Sequence, residues 1–282
     1  MVAWPLPLWV AHRGAGKLAP ENTLAALRLG AAHGYRAFEC DVKLSADGVP
    51  FLLHDHTLQR TTTGHGVAGD LPWSDLSRLD AGSWHSRAYA GEAMPTLDAV
   101  LSFVAANGHA LNLEIKPSTG CDHATGVAVA KACRDHVVAQ RGQLLLTSFK
   151  GDALRGAQET APDLPRGLLL DQLTDKLTDE STDGWWDTAQ RLACVAVVTH
   201  HRLMDADLRQ RLHGAGLRAL CYTVNEAADV ERLLSLGIDG LITDAVDHHA
   251  PASVLRDGSP ETPTQPSSAP VPPSGPAPVP RR

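Results

Sequence analysis

The stretch Ala37-Phe38-Glu39-Cys40-Asp41-Val42-Lys43 combines the two features that decide the fold. Its apolar residues occupy alternate positions, and successive side chains of a β-strand point to opposite faces, so the pattern predicts a strand over Ala37–Lys43. Glu39 and Asp41 then share the face that the apolar side chains leave. Such a strand fits a barrel whose apolar faces pack outward against helices, with its acidic face turned toward the interior.

A second stretch, Leu111-Asn112-Leu113-Glu114-Ile115-Lys116, repeats this arrangement. Its polar residues fall on one face and its aliphatic residues on the other. If the two strands belong to one barrel, three carboxylates point into the same interior. These are Glu39, Asp41 and Glu114.

Three carboxylates held together repel one another and are costly to remove from water. A divalent cation relieves that cost, and oxygen-only ligands favour Mg²⁺ or Ca²⁺, with Mn²⁺ as a further option, over Zn²⁺. The alternative is a structural network in which the carboxylates pair with Arg13, Lys43 and Lys116. The repetition of the pattern on two strands favours the metal interpretation.

Short apolar runs alternate with helical patterns on both sides of these strands. Such alternation predicts parallel strands joined by right-handed helical crossovers, and eight strands close a (β/α)8 TIM barrel of the α/β class. The predicted strands are Trp9–His12, Ala37–Lys43, Leu111–Ile115, Leu144–Ser148, Gly167–Leu170, Cys194–Val198, Arg218–Thr223 and Gly240–Thr243. The predicted helices are Pro20–His33, Leu97–Asn107, Gly126–His136, Asp152–Glu159, Trp185–Gln190, Met204–His213 and Glu226–Leu236.

Two segments depart from this alternation. Asp47-Gly48 between apolar runs predicts a hairpin, and the Gly- and Thr-rich segment Asp55–Met94 is predicted to be a small insertion over the barrel mouth. Nine of the 19 prolines lie in Asp257–Arg282, which has too few core-forming residues to fold and is predicted to be a disordered tail. The sequence therefore predicts one barrel domain, residues 1–256 with the insertion 55–94, and a tail, residues 257–282.

Length, charge and cysteine content limit the classes of protein to which this chain can belong. The 282 residues suit one barrel of about 250 residues, and a net charge of −7 argues against nucleic-acid and anionic-membrane binding, which need a basic face. No apolar run is long enough to span a bilayer, and the first residues do not resemble a secretory signal. Five cysteines without a CxxC pair suit reduced thiols, so a cytoplasmic enzyme is expected.

Imidazoles and cationic side chains follow the predicted strand ends. His12 and His54 beside a candidate metal site fit a general acid and a general base, because imidazole titrates near neutrality. Arg13 and Lys116 provide charge for an anion. Three carboxylates with one divalent cation sum to −1, and the two basic side chains bring the sum to +1, which suits one phosphodiester.

Glu21 lies in the predicted helix Pro20–His33, just after His12 and Arg13. Two interpretations of this residue remain open. An acidic side chain in a first turn complements the helix dipole. Alternatively, Glu21 orients one of the two basic residues that precede it.

These motifs, in this order, resemble the glycerophosphodiester phosphodiesterase family. The matching segments are His12-Arg13-Gly14, Pro20-Glu21-Asn22-Thr23, Glu39-Cys40-Asp41-Val42, Asp47-Gly48-Val49-Pro50, His54-Asp55 and Glu114-Ile115-Lys116. Within the insertion, Arg60-Thr61-Thr62 and Asp80-Ala81-Gly82-Ser83-Trp84 look like the bacterial cytoplasmic branch. The resemblance covers roughly Leu8 to Asp244, nearly the whole predicted barrel.

The resemblance implies a barrel that hydrolyses glycerophosphodiesters, such as glycerophosphocholine or glycerophosphoethanolamine, to glycerol 3-phosphate and an alcohol, using one divalent metal ion. It implies that the neighbouring glycerol hydroxyl attacks phosphorus first and gives a cyclic phosphate. The implied roles are metal binding by Glu39, Asp41 and Glu114, catalysis by His12 and His54, phosphate or substrate binding by Arg13, Lys116 and Tyr222, and support by Glu21 and Asn22. Which histidine is the acid and which the base stays open.

Two positions depart from the family pattern and concern the preferred alcohol. Tyr222 stands where a tryptophan is common, and Thr243-Asp244-Ala245 lacks a frequent proline. Three alternatives remain. A lipid phosphodiesterase of the lysophospholipase D or sphingomyelinase D type needs an apolar rim; a glycoside hydrolase with a carboxylate pair leaves the imidazoles unexplained; an inactive scaffold acting through its Pro-rich tail has no need of the intact site.

Overall fold

A computed structural model of the chain describes residues 4–173, 184–249 and 251. Within these ranges the strands are β1 (Trp9–Ala11), β2 (Ala37–Leu44), β3 (Pro50–Leu52), β4 (Ala110–Ile115), β5 (Leu144–Ser148), β6 (Arg166–Leu170), β7 (Ala196–His200), β8 (Arg218–Tyr222) and β9 (Gly240–Thr243). The α-helices are α1 (Leu24–Ala32), α2 (Trp73–Leu76), α3 (Leu97–Asn107), α4 (Asp122–Arg134), α5 (Val137–Gln140), α6 (Gly151–Thr160), α7 (Trp185–Arg191), α8 (Ala206–Gly214) and α9 (Ala227–Leu236). Short 3₁₀ turns lie at Ala68–Asp70, Arg87–Tyr89 and His201–Leu203.

Every described strand except β3 belongs to a closed parallel barrel, which confirms the predicted (β/α)8 fold. Ala11 of β1 pairs with Phe38 of β2 on one side and with Thr243 of β9 on the other, and this double pairing closes the ring. β3 pairs antiparallel with the end of β2 through the predicted hairpin. Gly48 has a φ of 81° in that turn, a conformation that glycine adopts without a steric penalty.

The register between β2 and β4 brings the acidic residues together. Glu39 pairs with Asn112, and Asp41 pairs with Glu114. Asn112 also pairs with Leu145 of β5, so this leucine shares the inward face. The inward layer continues as an aliphatic core of Val10, Leu145, Leu169, Val198, Leu220 and Ile242. The polar site therefore occupies one part of a mainly apolar barrel interior.

Several predicted boundaries are wrong: α4 begins at Asp122 rather than Gly126, and α8 begins at Ala206 rather than Met204. Two further errors fall where the backbone takes a left-handed conformation. The first helix begins at Leu24 rather than Pro20, because Asn22 has a φ of 58° and Thr23 caps the helix. β7 begins at Ala196 rather than Cys194, because Ala193 has a φ of 48° in the turn that precedes the strand. A side chain pattern does not report such local backbone turns.

The insertion between β3 and α3 has a small core of its own. Its buried residues, which pack with Phe51 of β3, are Leu53, Leu58, Ala68, Leu76, Ala81 and Met94. The predicted helical segment beginning at Trp73 is present as α2. The predicted tail, residues 257–282, lies outside the described residues.

Candidate active site

Three buried carboxylates meet at the ends of β2 and β4. Glu39 and Asp41 are 4% and 1% exposed, and Glu114 is 9% exposed. An oxygen atom of each lies within 4.8 Å of an oxygen atom of each of the others. The structure therefore brings together all three residues that the sequence nominates as cation ligands.

The electrostatics of this cluster show an excess of negative charge. Burial, followed by the charge of Asp41, raises the pKa of Glu39 to about 8. The same two causes raise the pKa of Glu114. Burial also disfavours ionised Asp41, but Lys116 and Arg13 outweigh it and hold the pKa of Asp41 at about 2. The neighbouring basic side chains thus compensate one carboxylate well and the other two incompletely.

This donor set fits a hard divalent cation. All three residues offer carboxylate oxygens, the ligands that Mg²⁺ and Ca²⁺ prefer. Such an ion would replace the protons that the raised pKa values of Glu39 and Glu114 favour, because carboxylates bind metal in their deprotonated form.

Arg13 and Lys116 flank the carboxylates. Arg13 Nε lies 3.5 Å from Asp41 Oδ2, and Lys116 Nζ lies 2.9 Å from Glu114 Oε1. Arg13 Nε is buried against Asp41, and Nη1 donates to Glu21 Oε1 at 2.8 Å. Lys43, which the structural-network alternative includes, instead donates to the main-chain oxygen of Lys116 at 3.1 Å. The network therefore forms only in part.

His12 is held by a carboxylate that the sequence analysis did not assign to the site. Its Nδ1 lies 2.6 Å from Asp244 Oδ1, and its Nε2 lies 3.7 Å from Glu39 Oε2. Burial lowers the pKa of His12, but the hydrogen bond to Asp244 and the charge of Glu39 outweigh it, so the pKa is raised. Asp244 directly follows the last predicted strand, and barrel closure places that strand beside the first. This was the signal that could have identified Asp244.

His54 has a similar partner on the insertion side of the site. Its Nδ1 lies 2.7 Å from Asp55 Oδ1. Asp55 in turn accepts hydrogen bonds from Arg60. Burial lowers the pKa of His54, opposite to the shift at His12. Both imidazoles therefore have Nδ1 bonded to an aspartate, and Nε2 of neither ring forms a hydrogen bond with the described residues.

Glu21 and Asn22 contact the predicted site residues directly. Glu21 precedes α1, so its interpretation as a first-turn residue is wrong; instead its Oε1 accepts a hydrogen bond from Arg13 Nη1 at 2.8 Å. Asn22 donates from Nδ2 to Asp41 Oδ2 at 2.8 Å and accepts from the Asp41 main-chain nitrogen at 2.9 Å. These contacts orient Arg13 and Asp41.

Tyr222 lies on an aromatic part of the rim. Its hydroxyl donates to the Leu170 carbonyl oxygen at 3.1 Å, so it is used within the protein. Its ring packs edge-to-face with Phe149 and with His200, at centroid distances of 5.8 and 5.9 Å. Lys116 Nζ lies 5.9 Å from the centroid of Phe149, which connects this rim to the basic side chains. The hydroxyl of Tyr222 is therefore engaged within the protein, and its ring forms an aromatic cluster with Phe149 and His200.

Residues 12–248 match the model of the glycerophosphoryl diester phosphodiesterase family. The chain belongs to this family. It is 31% identical over 252 residues to the glycerophosphodiester phosphodiesterase of Caldanaerobacter subterraneus subsp. tengcongensis, which covers 89% of this chain and 98% of that protein. An Oleispira antarctica phosphodiesterase, solved in complex with the product sn-glycerol-3-phosphate, has a TM-score of 0.79 and 33% identity over 86% of this chain and 95% of its own. A glycerophosphodiester phosphodiesterase from Agrobacterium tumefaciens gives a TM-score of 0.71 at 28% identity, over 86% of this chain and 98% of its own.

Family membership confirms the resemblance inferred from the ordered motifs and identifies the chain as a glycerophosphodiester phosphodiesterase. The scaffold and glycoside hydrolase alternatives are therefore wrong. None of the helices in the described ranges is long and apolar enough to cross a membrane.

Proposed function

We propose that this enzyme cleaves glycerophosphodiesters with small polar alcohols, such as glycerophosphocholine and glycerophosphoethanolamine, and depends on one divalent cation. The observation that carries the proposal is the convergence of the three carboxylates on two imidazoles and two basic side chains at one barrel mouth. The relative solved with sn-glycerol-3-phosphate supports glycerol 3-phosphate as the product. Relatives that match this chain over nearly their whole length are named glycerophosphodiester phosphodiesterases, which favours a substrate without an acyl chain.

In this proposal the phosphate binds between the cation held by the three carboxylates and the two basic side chains. Glu39, Asp41 and Glu114 would hold Mg²⁺ or Ca²⁺, with Mn²⁺ as a further option. A cation bound there supplies Lewis-acid stabilisation of the phosphoryl charge. Arg13 and Lys116 bind the non-bridging oxygens and share the negative charge that develops during the reaction.

His12 and His54 move the protons. One accepts the proton of the attacking hydroxyl, and the other protonates the departing alkoxide. Both reactions use Nε2, because Nδ1 of each ring is bonded to Asp244 or Asp55. The aspartates fix the tautomer and the plane of each ring, which is the positioning that proton transfer requires.

The attacking group in this proposal is the glycerol hydroxyl adjacent to the phosphodiester. Its oxygen forms a bond to phosphorus while the bond to the alcohol oxygen breaks, and a cyclic phosphate results. Water then opens the ring to glycerol 3-phosphate, with the roles of the two histidines reversed. An internal hydroxyl is already close to phosphorus, so its effective concentration is high.

An analogue of glycerophosphocholine with hydrogen in place of the adjacent hydroxyl tests this order of steps. We expect it to inhibit competitively with an affinity near that of the substrate. Its own turnover should be slower than that of the substrate by a factor of about 100 or more. An analogue that lacks only the terminal hydroxyl is the control and should be cleaved at a rate similar to that of the substrate. Comparable cleavage of the first analogue, with no cyclic phosphate visible by phosphorus NMR, assigns the attack to water.

The substrate class is tested by comparing glycerophosphocholine with lysophosphatidylcholine, which carries the same headgroup and an added acyl chain. We expect a higher kcat/KM for glycerophosphocholine, because the relatives matched over nearly their whole length are named glycerophosphodiester phosphodiesterases. A clear preference for lysophosphatidylcholine would favour the lysophospholipase D alternative.

A further inference from the structure

Arg60 lies between the two halves of the active site and bonds to both. From the insertion, its Nε and Nη2 donate to Asp55 at 2.6 and 2.9 Å. Its Nη1 and Nη2 donate to Glu21, each at 2.8 Å. Asp55 bonds to His54, and Glu21 bonds to Arg13. A continuous series of charge-assisted hydrogen bonds therefore connects the imidazole with the phosphate-binding guanidinium.

We propose that Arg60 is a positioning residue that fixes His54 and Arg13 in their working orientations at the same time, acting through Asp55 and Glu21. The proposal rests on the roles of His54 and Arg13 in the proposed function. It gives the insertion a part in catalysis, because the insertion supplies the residue that connects the two groups.

The count of donors distinguishes positioning from substrate binding. A guanidinium has five N–H groups, and Arg60 uses four of them on two carboxylates: one from Nε, two from Nη2 and one from Nη1. Arg13, in contrast, makes one side-chain hydrogen bond to the described residues, from Nη1 to Glu21 Oε1, and its Nε lies 3.5 Å from Asp41 Oδ2. Arg13 therefore keeps Nη donors for a phosphate, whereas Arg60 is already committed to the protein.

Hydrogen bonds within the turn from Leu58 to Thr62 fix the main chain that carries Arg60. Thr62 follows it by two residues and bonds to the Leu58 carbonyl oxygen twice, through its main-chain nitrogen at 3.1 Å and its Oγ1 at 2.8 Å. Leu58 is fully buried in the small core of the insertion. The turn that carries Arg60 is thus anchored at both ends, and the guanidinium reaches the two carboxylates from a fixed base.

A planar guanidinium suits this position better than an ammonium group. Its fork bonds two oxygens of Asp55 side by side while the other edge bonds Glu21, so the relative orientation of the two carboxylates is set. The hydrogen bonds from Arg60 also hold the pKa of Asp55 well below its usual range and keep Asp55 ionised. Without Arg60, two like charges would face each other, and Asp55 and Glu21 would be free to turn away from their partners.

The test compares Arg60→Ala with Arg78→Ala, using glycerophosphocholine at a saturating concentration of the divalent cation. Arg78 is the matched control, an exposed arginine of the insertion for which the described residues provide no side-chain hydrogen bond or ion pair. For Arg60→Ala we expect kcat/KM to fall about 10- to 100-fold, with a lower kcat from a misplaced His54 and a higher KM from a released Arg13. Arg78→Ala should behave like the wild type.

Chemical rescue distinguishes positioning from a general loss of structure. Free guanidinium at tens of millimolar should restore part of the lost activity of Arg60→Ala, because the site is open to solvent, while equal concentrations of urea or sodium should not. In Arg60→Lys the activity should be recovered only in part, because an ammonium cannot bond both carboxylates in the same geometry.

Non-additivity is the second readout. Once Asp55→Asn is present, adding Arg60→Ala should cause a smaller loss in kcat than it does in the wild type. The proposal is overturned if Arg60→Ala has wild-type kcat and KM. It is also overturned if guanidinium does not restore the lost kcat and if that loss simply adds to the loss caused by Asp55→Asn. Turnover by the wild type is measured in the same series, so failure of the proposed function is seen separately.

Discussion

His12 and His54 each bond to an aspartate through Nδ1, and this contact leaves Nε2 as the ring nitrogen for the proposed proton transfer. The two partners reach the site differently. Asp55 is adjacent to His54 in the sequence, whereas Asp244 is 232 residues from His12 and arrives only through closure of the barrel. Asn225 donates to Asp244 Oδ2 at 3.4 Å and so limits the movement of this carboxylate.

The first prediction concerns Asp244→Asn. The amide keeps the size of the side chain, but its NH₂ group can donate to Nδ1 and so favour the tautomer with the proton on Nε2. We expect kcat to fall about 100-fold or more, with KM little changed, in steady-state assays. Asp207→Asn, an exposed position at the start of α8, is the control. An Asp244→Asn variant with wild-type kcat would show that this contact does not serve catalysis.

At the level of secondary-structure elements, the loop after β1 packs against the end of β9. Their main chains meet at Gly16 and Asp244 so closely that no side chain fits between them. Gly16 has a φ of 55°, and a Cβ atom placed on it would overlap the main-chain carbonyl of Asp244. This close approach holds the loop that follows His12 against the strand end that carries its partner. The geometry of the His12–Asp244 pair therefore depends on a glycine that touches neither side chain's polar atoms.

The second prediction compares Gly16→Ala with Gly34→Ala. Gly34 also has a positive φ, of 91°, but an added Cβ meets no atom within 4 Å, so this variant reports the backbone strain alone, about 1–2 kcal/mol. Gly16→Ala adds a steric overlap to the strain, and we expect a loss of about 2–4 kcal/mol in the free energy of unfolding, together with reduced turnover. Equal losses in the two variants, measured by denaturant unfolding, would contradict the close packing.

At the opposite end of the barrel, Asp239 connects β9 with α8 and β8. Its carboxylate accepts hydrogen bonds from His213 Nε2 at 2.7 Å, from Arg218 Nη1 at 2.7 Å and from the Ala219 main-chain nitrogen at 2.9 Å. Burial opposes ionisation, but these hydrogen bonds outweigh it and lower the pKa of Asp239. None of these contacts involves a residue of the candidate active site.

The third prediction is the pH dependence that follows from Asp239. A lowered pKa in the folded state means that the ionised form stabilises the protein above the unfolded-state pKa, near 3.9, and that this contribution disappears as the pH falls through the lower folded-state value. Asp239→Asn should therefore lose about 1–3 kcal/mol near neutral pH, and the difference from the wild type should shrink below about pH 4. A pH-independent difference in urea unfolding would refute this assignment, and the exposed Asp98→Asn serves as the control.

For the whole molecule, local rules explain which features the sequence could predict. Side-chain alternation in β2 and β4 places Glu39, Asp41 and Glu114 on the inward face. Parallel pairing of the two strands then brings these carboxylates together. The role of Arg60 could not be predicted, because its reach to Glu21 depends on how the insertion packs its own core. Asn22, whose left-handed conformation shifts the helix start, is hydrogen-bonded to Asp41 on the neighbouring strand β2. Such contacts exist only once the fold has formed.

The central claim is that the three carboxylates bind a divalent cation on which cleavage depends, and one titration tests it most directly. Enzyme stripped of metal by a chelator is supplied with Mg²⁺ or Ca²⁺ while glycerophosphocholine turnover and Tm are recorded, with Glu39→Gln in parallel. We predict negligible turnover without the cation and a saturable recovery. At a hundredfold excess over the dissociation constant, Tm should rise by about 5 °C or more in the wild type but not in Glu39→Gln. Full turnover in excess chelator, with no bound ion found by elemental analysis, would contradict the account.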